Sequence, residues 1–400
     1  MTAFRTRGHP AAVTALAAMI RGHVPQAILL VGPRGVGKTT LAIDLAAGLL
    51  CTDADSAERP CGHCRACRLV AGGGHPDLHR LGPEGAGRQV VIGGPSGPVR
   101  GVRDLITELA LTPVEGGARV AIVSEAHRMN EDAQAALLKT LEEPSDGVVI
   151  VLCADVEDPI LPTIRSRSAR MRLGPVAPRD VEALLGEAGV ADPPLAARLA
   201  RIAGGRPGIA MAWARQPASV LAREELARTL LDLAEVRPSD RLASMRAAMP
   251  LATAVAAIDD DRAGATATAQ APGVRGGTRG KAGVGRRRPE GGDEPEDSPD
   301  DGAAAPGRVS VAERRRAIEA IVAVWTDLAR DLVVIGRGLP ASARGIGMLD
   351  ETTAVAARQD PERVLAFLER LGRATTLLAG NVSPELVLDD LVLAWPGSRT

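Results

Sequence analysis

The chain has 400 residues, of which 45% are hydrophobic, and its formal net charge at pH 7 is −1. This length allows two or three domains, and the near-zero charge excludes a global basic field that would draw the chain to nucleic acid or to a membrane. Two Phe, three Trp and no Tyr argue against nucleic-acid binding through stacked aromatic side chains and predict a core of Ala, Leu and Val. Any contact with DNA should therefore be local or shared with partners.

The N-terminal 23 residues carry an Ala-rich run that is short and is broken by Arg21. A signal peptide would have a longer apolar core and a small-residue cleavage site. No uninterrupted apolar stretch in the sequence reaches the roughly 18 residues that suggest a membrane span. We interpret this segment as an amphipathic helix and expect a cytoplasmic protein.

Strand and helix patterns then alternate along the chain. Strands are predicted at 27–31, 118–124 and 147–154, and helices at 39–50, 102–111 and 131–143. A short strand is expected within 82–101, and residues 161–173 are expected to lead out of the sheet. This alternation predicts a parallel sheet that is covered by helices on both faces.

Only helical patterns follow from about residue 177. The stretch 258–307 has almost no large apolar side chains, so it cannot bury enough surface to offset chain entropy, and we predict disorder there. Helical patterns then resume. The predicted domains are an α/β domain at 1–176, a small helical domain at 177–214, and an all-helical domain formed by 215–257 and 308–396.

The sequence "GPRGVGKTT" lies between the first predicted strand and the helix that follows it. It matches the pattern G-x-x-x-x-G-K-[ST] in the strand–loop–helix context of a phosphate-binding loop. Its amides would surround phosphate oxygens at a helix N-terminus, with Lys38 on the β- and γ-phosphates and Thr39 on Mg²⁺. The predicted ATP-binding residues of this loop are Gly32, Pro33, Arg34, Gly35, Val36, Gly37, Lys38, Thr39 and Thr40.

Four of the five cysteines follow the pattern C-x9-C-x2-C-x2-C. Four thiolates can complete the tetrahedral shell of a structural Zn²⁺ ion, and an iron–sulfur cluster is the alternative. His63 could replace one ligand, although four cysteines suffice; the lone Cys153 is interpreted as a small buried hydrophobe. The predicted Zn²⁺ ligands are Cys51, Cys61, Cys64 and Cys67.

Ser124 and Glu125 come at the end of the strand predicted at 118–124. In P-loop hydrolases an acidic residue at such a position helps to hold the metal, and a second can activate water. Ser124 brings no charge, which should weaken Mg²⁺ placement more than nucleotide binding. Glu125 is a candidate catalytic residue that could polarise water; the alternative is an ordinary acid at the start of a helix.

Two arginines, Arg165 and Arg167, lie in "TIRSRS" after the last predicted strand. In an oligomer, an arginine placed there could reach the γ-phosphate of a nucleotide on a neighbouring subunit. A surface arginine is the alternative that the spacing leaves open.

The P-loop, the four-cysteine insert, "SEAHRMNEDAQAALLKTLEEP" and "LPTIRSRS", in this order, resemble the AAA+ subunits of the bacterial DNA polymerase III clamp loader. Within that family, "CGHCRACRLVAGGGHPDLHRLGPEG" and the ending "SPELVLDDLVLAW" are similar to delta' subunits. The resemblance covers residues 1–257 and 308–396. It implies an AAA+ domain, a helical lid and a helical collar that assembles with gamma/tau and delta subunits to load the sliding clamp onto primed DNA.

The resemblance also implies roles for two arginines. Arg167 would act in trans on ATP held by a gamma/tau subunit, and Arg206 would contact nucleotide from the lid. Ser168 and Ser124 depart from the family pattern, which has a cysteine and an aspartate at these positions. We therefore expect a delta'-type partner that binds nucleotide and hydrolyses it poorly or not at all; the alternatives are a gamma/tau-type ATPase and a stand-alone P-loop ATPase or kinase.

Overall fold

The computed structural model describes residues 3–84, 89–94, 99–115, 117–143, 145–267, 310–379 and 382–397. The strands are β1 (Ala27–Val31), β2 (Leu78–Leu81), β3 (Arg119–Val123), β4 (Val148–Ala154) and β5 (Ala169–Arg172). The first helices are α1 (Pro10–Arg21), α2 (Lys38–Leu50), α3 (Arg65–Ala71), α4 (Val102–Leu109), α5 (Glu131–Glu142) and α6 (Pro162–Arg167). The later helices are α7 (Pro178–Glu187), α8 (Pro193–Ile202), α9 (Pro207–Arg215), α10 (Pro217–Asp232), α11 (Pro238–Ala267), α12 (Val311–Gly336), α13 (Leu349–Ala356), α14 (Pro361–Ala379) and α15 (Pro384–Ala394).

The five strands form one parallel sheet in the order β2-β3-β4-β1-β5. Side chains alternate between its faces: Leu30 and Val151 pack with α2 on one face, whereas Leu29 and Ile150 pack with α4, α5 and α6 on the other. Because both faces are covered, the central strands β1, β3 and β4 are largely continuous apolar runs. The prediction of a parallel sheet buried on both sides is confirmed.

Both outer strands differ from the sequence expectation. Residues 161–173 do not leave the sheet, because Ala169–Arg172 pair with β1. Within 82–101 we find bridges between Glu84 and Gln89 and between Val90 and Met129, while strand β2 lies earlier, at Leu78–Leu81. Each outer strand has four residues and carries arginine, so neither has the apolar run by which the central strands are recognised.

Helices occupy the chain after the sheet, as predicted, and no strand follows Arg172 in the residues that the structure describes. Helix α11 continues to Ala267, so the sequence boundary at residue 258 falls inside this helix. The rest of the stretch 258–307, for which disorder is predicted, lies outside the described residues. None of the described helices combines the length with the apolar character that a membrane span requires.

The helices after the sheet bury two separate cores. The smaller core, around Leu199 and Trp213, is formed by α7, α8, α9 and the start of α10. The larger core surrounds α12 and draws on α10, α11, α13, α14 and α15. Helix α12 begins with a capping box in which Ser310 and Glu313 exchange side-chain-to-backbone hydrogen bonds, which stabilises the helix start.

Three of the five aromatic residues meet in the larger core. Trp325 lies 5.1 Å from Phe367 and 5.2 Å from Trp395, measured between ring centroids, and the latter two rings are 4.8 Å apart. Such tilted or edge-on contacts stabilise beyond simple area burial. Although aromatic residues are few in this chain, these three hold α12, α14 and the C-terminal end of α15 together.

We expect Trp325→Ala to lower the free energy of unfolding by about 3–5 kcal/mol, because it leaves a cavity at a fully buried ring. Urea denaturation followed by far-ultraviolet circular dichroism would measure this. The Trp325 indole nitrogen is buried without a hydrogen-bond partner in the described part of the chain. The control Trp325→Phe keeps a ring and removes that donor, so it should destabilise less; equal losses would contradict this account.

Candidate functional site

The glycine-rich loop lies between β1 and α2 at the carboxyl edge of the sheet, where parallel α/β sheets bind ligands. Gly35 and Gly37 have φ angles of 79° and 115°, a left-handed region that glycine adopts freely because it lacks Cβ. The loop borders a cavity that also contacts β2, the ends of β3 and β4, and helix α9. The loop residues that line this cavity are Arg34, Gly35, Val36, Gly37, Lys38, Thr39 and Thr40.

Lys38 is buried, with 7% of its surface exposed. Its Nζ donates to the carbonyl oxygens of Gly32 at 2.5 Å and Pro33 at 3.0 Å, and forms an ion pair with Asp155 Oδ1 at 2.8 Å. A lysine ammonium group has three donors, so these partners use its full capacity. A phosphate group can reach Lys38 only by replacing one of them.

Asp155 is a residue of this site that no sequence motif marks. It follows β4 directly, and the carboxyl ends of parallel strands meet at one edge of the sheet. The position of Asp155 just after a predicted strand is therefore the sequence signal that could have indicated it. The backbone N–H of Asp155 donates to His127 Nδ1 at 3.2 Å, and burial lowers the pKa of His127. Asp155 is therefore held from both sides, by a neutral imidazole and by Lys38.

Ser124 and Glu125 lie at the end of β3, as predicted, and both line the cavity. The Ser124 backbone N–H donates to Leu81 O at 2.8 Å, which continues the pairing with β2. The Glu125 carboxylate lies 2.9 Å from Arg128 Nε. This ion pair occupies the Glu125 carboxylate, so Glu125 is poorly placed to activate water in this arrangement.

Arg206 lies at the start of α9 and also lines the cavity. Its Nε donates to Ala203 O at 2.7 Å, and its Nη2 lies 3.3 Å from Asp327 of α12. Asp327 also forms ion pairs with Arg223 and Arg344. Three arginines therefore share one carboxylate beside the cavity, and the predicted nucleotide contact of Arg206 would compete with this cluster.

Arg167 is the last residue of α6 and is not among the residues that line the cavity. Its Nη2 forms an ion pair with Glu142 at 2.8 Å, and 39% of the side chain is exposed. Ser168, which follows it, is buried and donates to Ile164 O at 2.8 Å. Arg167 thus faces solvent on a helix whose end is fixed by the buried serine.

The four predicted zinc ligands come together in space. The Sγ atoms of Cys51, Cys61, Cys64 and Cys67 all lie within 4.8 Å of one another, and those of Cys51 and Cys64 are 3.9 Å apart. A zinc–sulfur bond of about 2.3 Å gives sulfur–sulfur distances of roughly 3.8 Å in a tetrahedron. The four thiols therefore fit a closed tetrahedral zinc site with small adjustments.

The polypeptide around Cys64 favours its thiolate, whereas burial raises the pKa of Cys51 and of Cys67. Cys64 caps α3, and its Sγ accepts from Cys67 N at 3.3 Å. Burial raises the pKa of Cys64, but hydrogen bonds from Cys67 and Thr52 outweigh it and lower this pKa to about 6. His63 is exposed and its Nδ1 donates to Cys61 O at 2.9 Å, so it behaves as a turn residue. Cys153 is buried on β4, away from the cluster, as predicted.

Comparison with known proteins identifies relatives that match part of the chain. Residues 8–177 match the family model described as DNA polymerase III, delta subunit. The DNA polymerase III subunit delta' of Pseudomonas aeruginosa is 42% identical over 147 residues, which are 37% of this chain and 42% of that protein. The subunit delta' of Escherichia coli K12 is 35% identical over 193 residues, covering 48% of this chain and 54% of that protein.

Subunits of the gamma/tau kind are also similar. The DNA polymerase III subunit gamma/tau of Mycobacterium tuberculosis H37Rv is 33% identical over 168 residues, 42% of this chain and 28% of that protein. Each match spans about half or less of the relative's own length. The residues that the family model matches include the sheet, the P-loop and the cysteine cluster. Over residues 8–177, this chain is similar to DNA polymerase III subunits, and the delta' relatives named above are 35–42% identical over the matched parts.

Proposed function

We propose that this chain is a delta'-type subunit of a bacterial DNA polymerase III clamp loader. In this proposal it helps to place the sliding clamp on primed DNA, in a complex with gamma/tau and delta subunits. It binds ATP, hydrolyses it slowly at most, and supplies Arg167 to a nucleotide on a neighbouring subunit. The proposed domains are an AAA+ domain at 1–176, a lid at 177–214, and a collar formed by 215–257 and 308–396.

One observation carries the weak-hydrolysis part of this proposal: the complete P-loop lies beside Ser124, where P-loop hydrolases use an acid to hold the metal. The loop amides can hold phosphate, and Lys38 can join them by releasing one of its three partners. The position that would supply a carboxylate to the metal is Ser124, and Glu125 is paired with Arg128. These features support binding without efficient turnover. The P-loop pattern assigns the Thr39 hydroxyl to Mg²⁺ in hydrolases, and the four cysteines would hold Zn²⁺ as a structural ion.

Arg167 supports the trans role by its position. It lies outside the cavity of its own chain, on an exposed helix end, and its only ion pair in the described residues is with the surface residue Glu142. Surface ion pairs contribute little free energy, so Glu142 can release the arginine when a partner's phosphate approaches. The competing interpretation, a plain surface arginine, predicts no effect on a neighbouring subunit.

The second candidate function is a gamma/tau-type ATPase, which the 33% identity to gamma/tau subunits and the complete P-loop favour. ATP turnover by the isolated chain separates the two. A delta'-type subunit should release phosphate slowly, with no stimulation by primed DNA when alone. Fast turnover by the isolated chain would support either the gamma/tau interpretation or a stand-alone enzyme that needs no partner.

Lys38→Ala should weaken nucleotide binding by about 10–100-fold, because a charge-assisted hydrogen bond to phosphate contributes about 1.5–3 kcal/mol. Titration with a fluorescent ADP analogue would measure this. Lys139→Ala is the matched control, since Lys139 lies exposed on α5 and does not line the cavity. Unchanged affinity in Lys38→Ala would contradict the assignment of the cavity.

The assembly part of the proposal is tested by co-purification of the tagged full-length chain from its own cells. Gamma/tau and delta subunits should be recovered with it in fixed ratios. A chain that purifies alone, while folded and zinc-loaded, would argue against a loader subunit.

A further inference from the structure

Arg80 lies on β2 and faces the P-loop side of the sheet. Its partner across the strands is Ile122, whose own partner is Val151, and both of these pack against α2. Paired residues of adjacent parallel strands point to the same face. The neighbouring His79 points the other way, to Glu108 at 2.8 Å. The register of the sheet thus places Arg80 on the face that α2 covers, with β3 and β4 between its strand and β1.

The Arg80 side chain borders the same cavity as Lys38, Thr39 and Ser124. It is half-buried, and in the described part of the chain its guanidinium makes no hydrogen bond or ion pair. Burial lowers its pKa, as expected for a cation that lacks a carboxylate partner. A half-buried guanidinium with five free donors is suited to an anionic ligand.

The groups around Ser124 are poor ligands for magnesium. Mg²⁺ in such sites is usually held by one or two carboxylates together with substrate phosphates. The carboxylates that follow β3 and β4, Glu125 and Asp155, are already paired with Arg128 and Lys38. Burial raises the pKa of Cys153 to about 12, against smaller effects of Lys38, Thr39 and Arg80, so this thiol stays neutral.

The charge that the protein itself supplies at this place therefore differs in sign. A hydrolase supplies a carboxylate that holds a dication, whereas this chain supplies Ser124 and the Arg80 cation. An arginine can pair with phosphate oxygens through two parallel hydrogen bonds, and a fixed cation also repels an incoming Mg²⁺ ion. The donor set thus disagrees with the magnesium site that the family pattern implies.

We propose that Arg80 takes the place of magnesium: the cavity holds the diphosphate group of a nucleotide through the P-loop amides, Lys38 and Arg80, without a divalent cation. This inference rests on the proposed nucleotide binding and specifies how the phosphates are neutralised. It also gives a physical reason for slow hydrolysis, because the metal that would polarise the γ-phosphate is not recruited.

The test is titration of the full-length chain with a fluorescent ADP analogue, in buffer with Mg²⁺ and in buffer with EDTA. The two dissociation constants should agree within about threefold, a difference below 1 kcal/mol. Arg80→Gln should weaken binding in EDTA by about tenfold or more, and Arg80→Lys should weaken it less because the charge is kept. Circular dichroism of each variant checks that it is folded.

A gain-of-function variant sharpens the test. The double substitution Arg80→Gln with Ser124→Asp should bind ADP about tenfold more tightly in Mg²⁺ than in EDTA, because it restores the carboxylate and removes the cation. The proposal is overturned if the wild-type chain binds ADP only with Mg²⁺, or if folded Arg80→Gln binds it in EDTA as tightly as wild type. Failure of the wild-type chain to bind ADP in either buffer would instead overturn the proposed nucleotide binding.

Discussion

Arg167→Ala should reduce ATP turnover by the assembled clamp loader by about a thousandfold at each neighbouring site that depends on it, since an arginine supplied in trans contributes roughly 10³–10⁵ in kcat. The loss should appear in kcat, because the arginine stabilises charge that develops in the transition state. Affinity of this chain for its own nucleotide should not change, because Arg167 does not line its own cavity. Steady-state turnover of the reconstituted complex, stimulated by clamp and primed DNA, is the measurement.

Arg165→Ala is the matched control for this prediction, since Arg165 lies on the same helix α6 two residues earlier. It should leave turnover within about twofold of wild type, the range of an ordinary surface substitution. Assembly of the complex should be confirmed by size-exclusion chromatography for both variants. If Arg167→Ala assembles and turns over ATP as fast as wild type, the trans assignment is wrong.

Cys64→Ser should abolish metal binding and unfold the cysteine module. Elemental analysis should give one zinc per chain for the wild-type protein and close to none for the variant. Structural zinc sites contribute apparent binding free energies on the order of 10 kcal/mol, so a clear drop in the thermal unfolding midpoint should accompany the loss. A strong chelator should produce the same shift in the wild-type protein and no shift in the variant.

Cys153→Ala is the control for the metal prediction. Cys153 is buried on β4, outside the four-sulfur cluster, so this variant should keep one zinc per chain. If the wild-type protein contains iron and absorbs visible light, the four cysteines hold an iron–sulfur cluster and not zinc. Full zinc content in Cys64→Ser would exclude this cysteine as a ligand.

The features that could be predicted from sequence are those with local causes. The P-loop follows from a glycine pattern between an apolar run and a helical pattern, and the central strands β1, β3 and β4 follow from uninterrupted apolar stretches. The cysteine cluster follows from its spacing, because C-x2-C turns bring sulfur atoms together. The outer strands β2 and β5 could not be predicted this way, since each is short and partly polar.

The residues of the candidate site also divide into those that local sequence motifs indicate and those that depend on distant parts of the chain. Lys38, Ser124 and the cysteines could be named from motifs, because their neighbours along the chain set their surroundings. Asp155 and Arg80 could not, because one follows β4 and the other lies on β2, more than 30 residues from the P-loop. Asp155 and Arg80 line the same cavity as Lys38 and Thr39 only because the strand order and register bring the ends of four strands to one edge of the sheet.

Sequence alone therefore determined the class of fold, the P-loop, the four-cysteine cluster and the resemblance to clamp-loader subunits. Only the tertiary structure decided what surrounds the loop: Lys38 is held by Asp155, Glu125 is held by Arg128, and Arg80 lines the same cavity as Ser124. The physical reason is that backbone propensity and motif spacing act over a few residues, whereas charge neutralisation in a buried cavity depends on groups that are distant in sequence. Whether this site recruits a metal is set by that balance of charges.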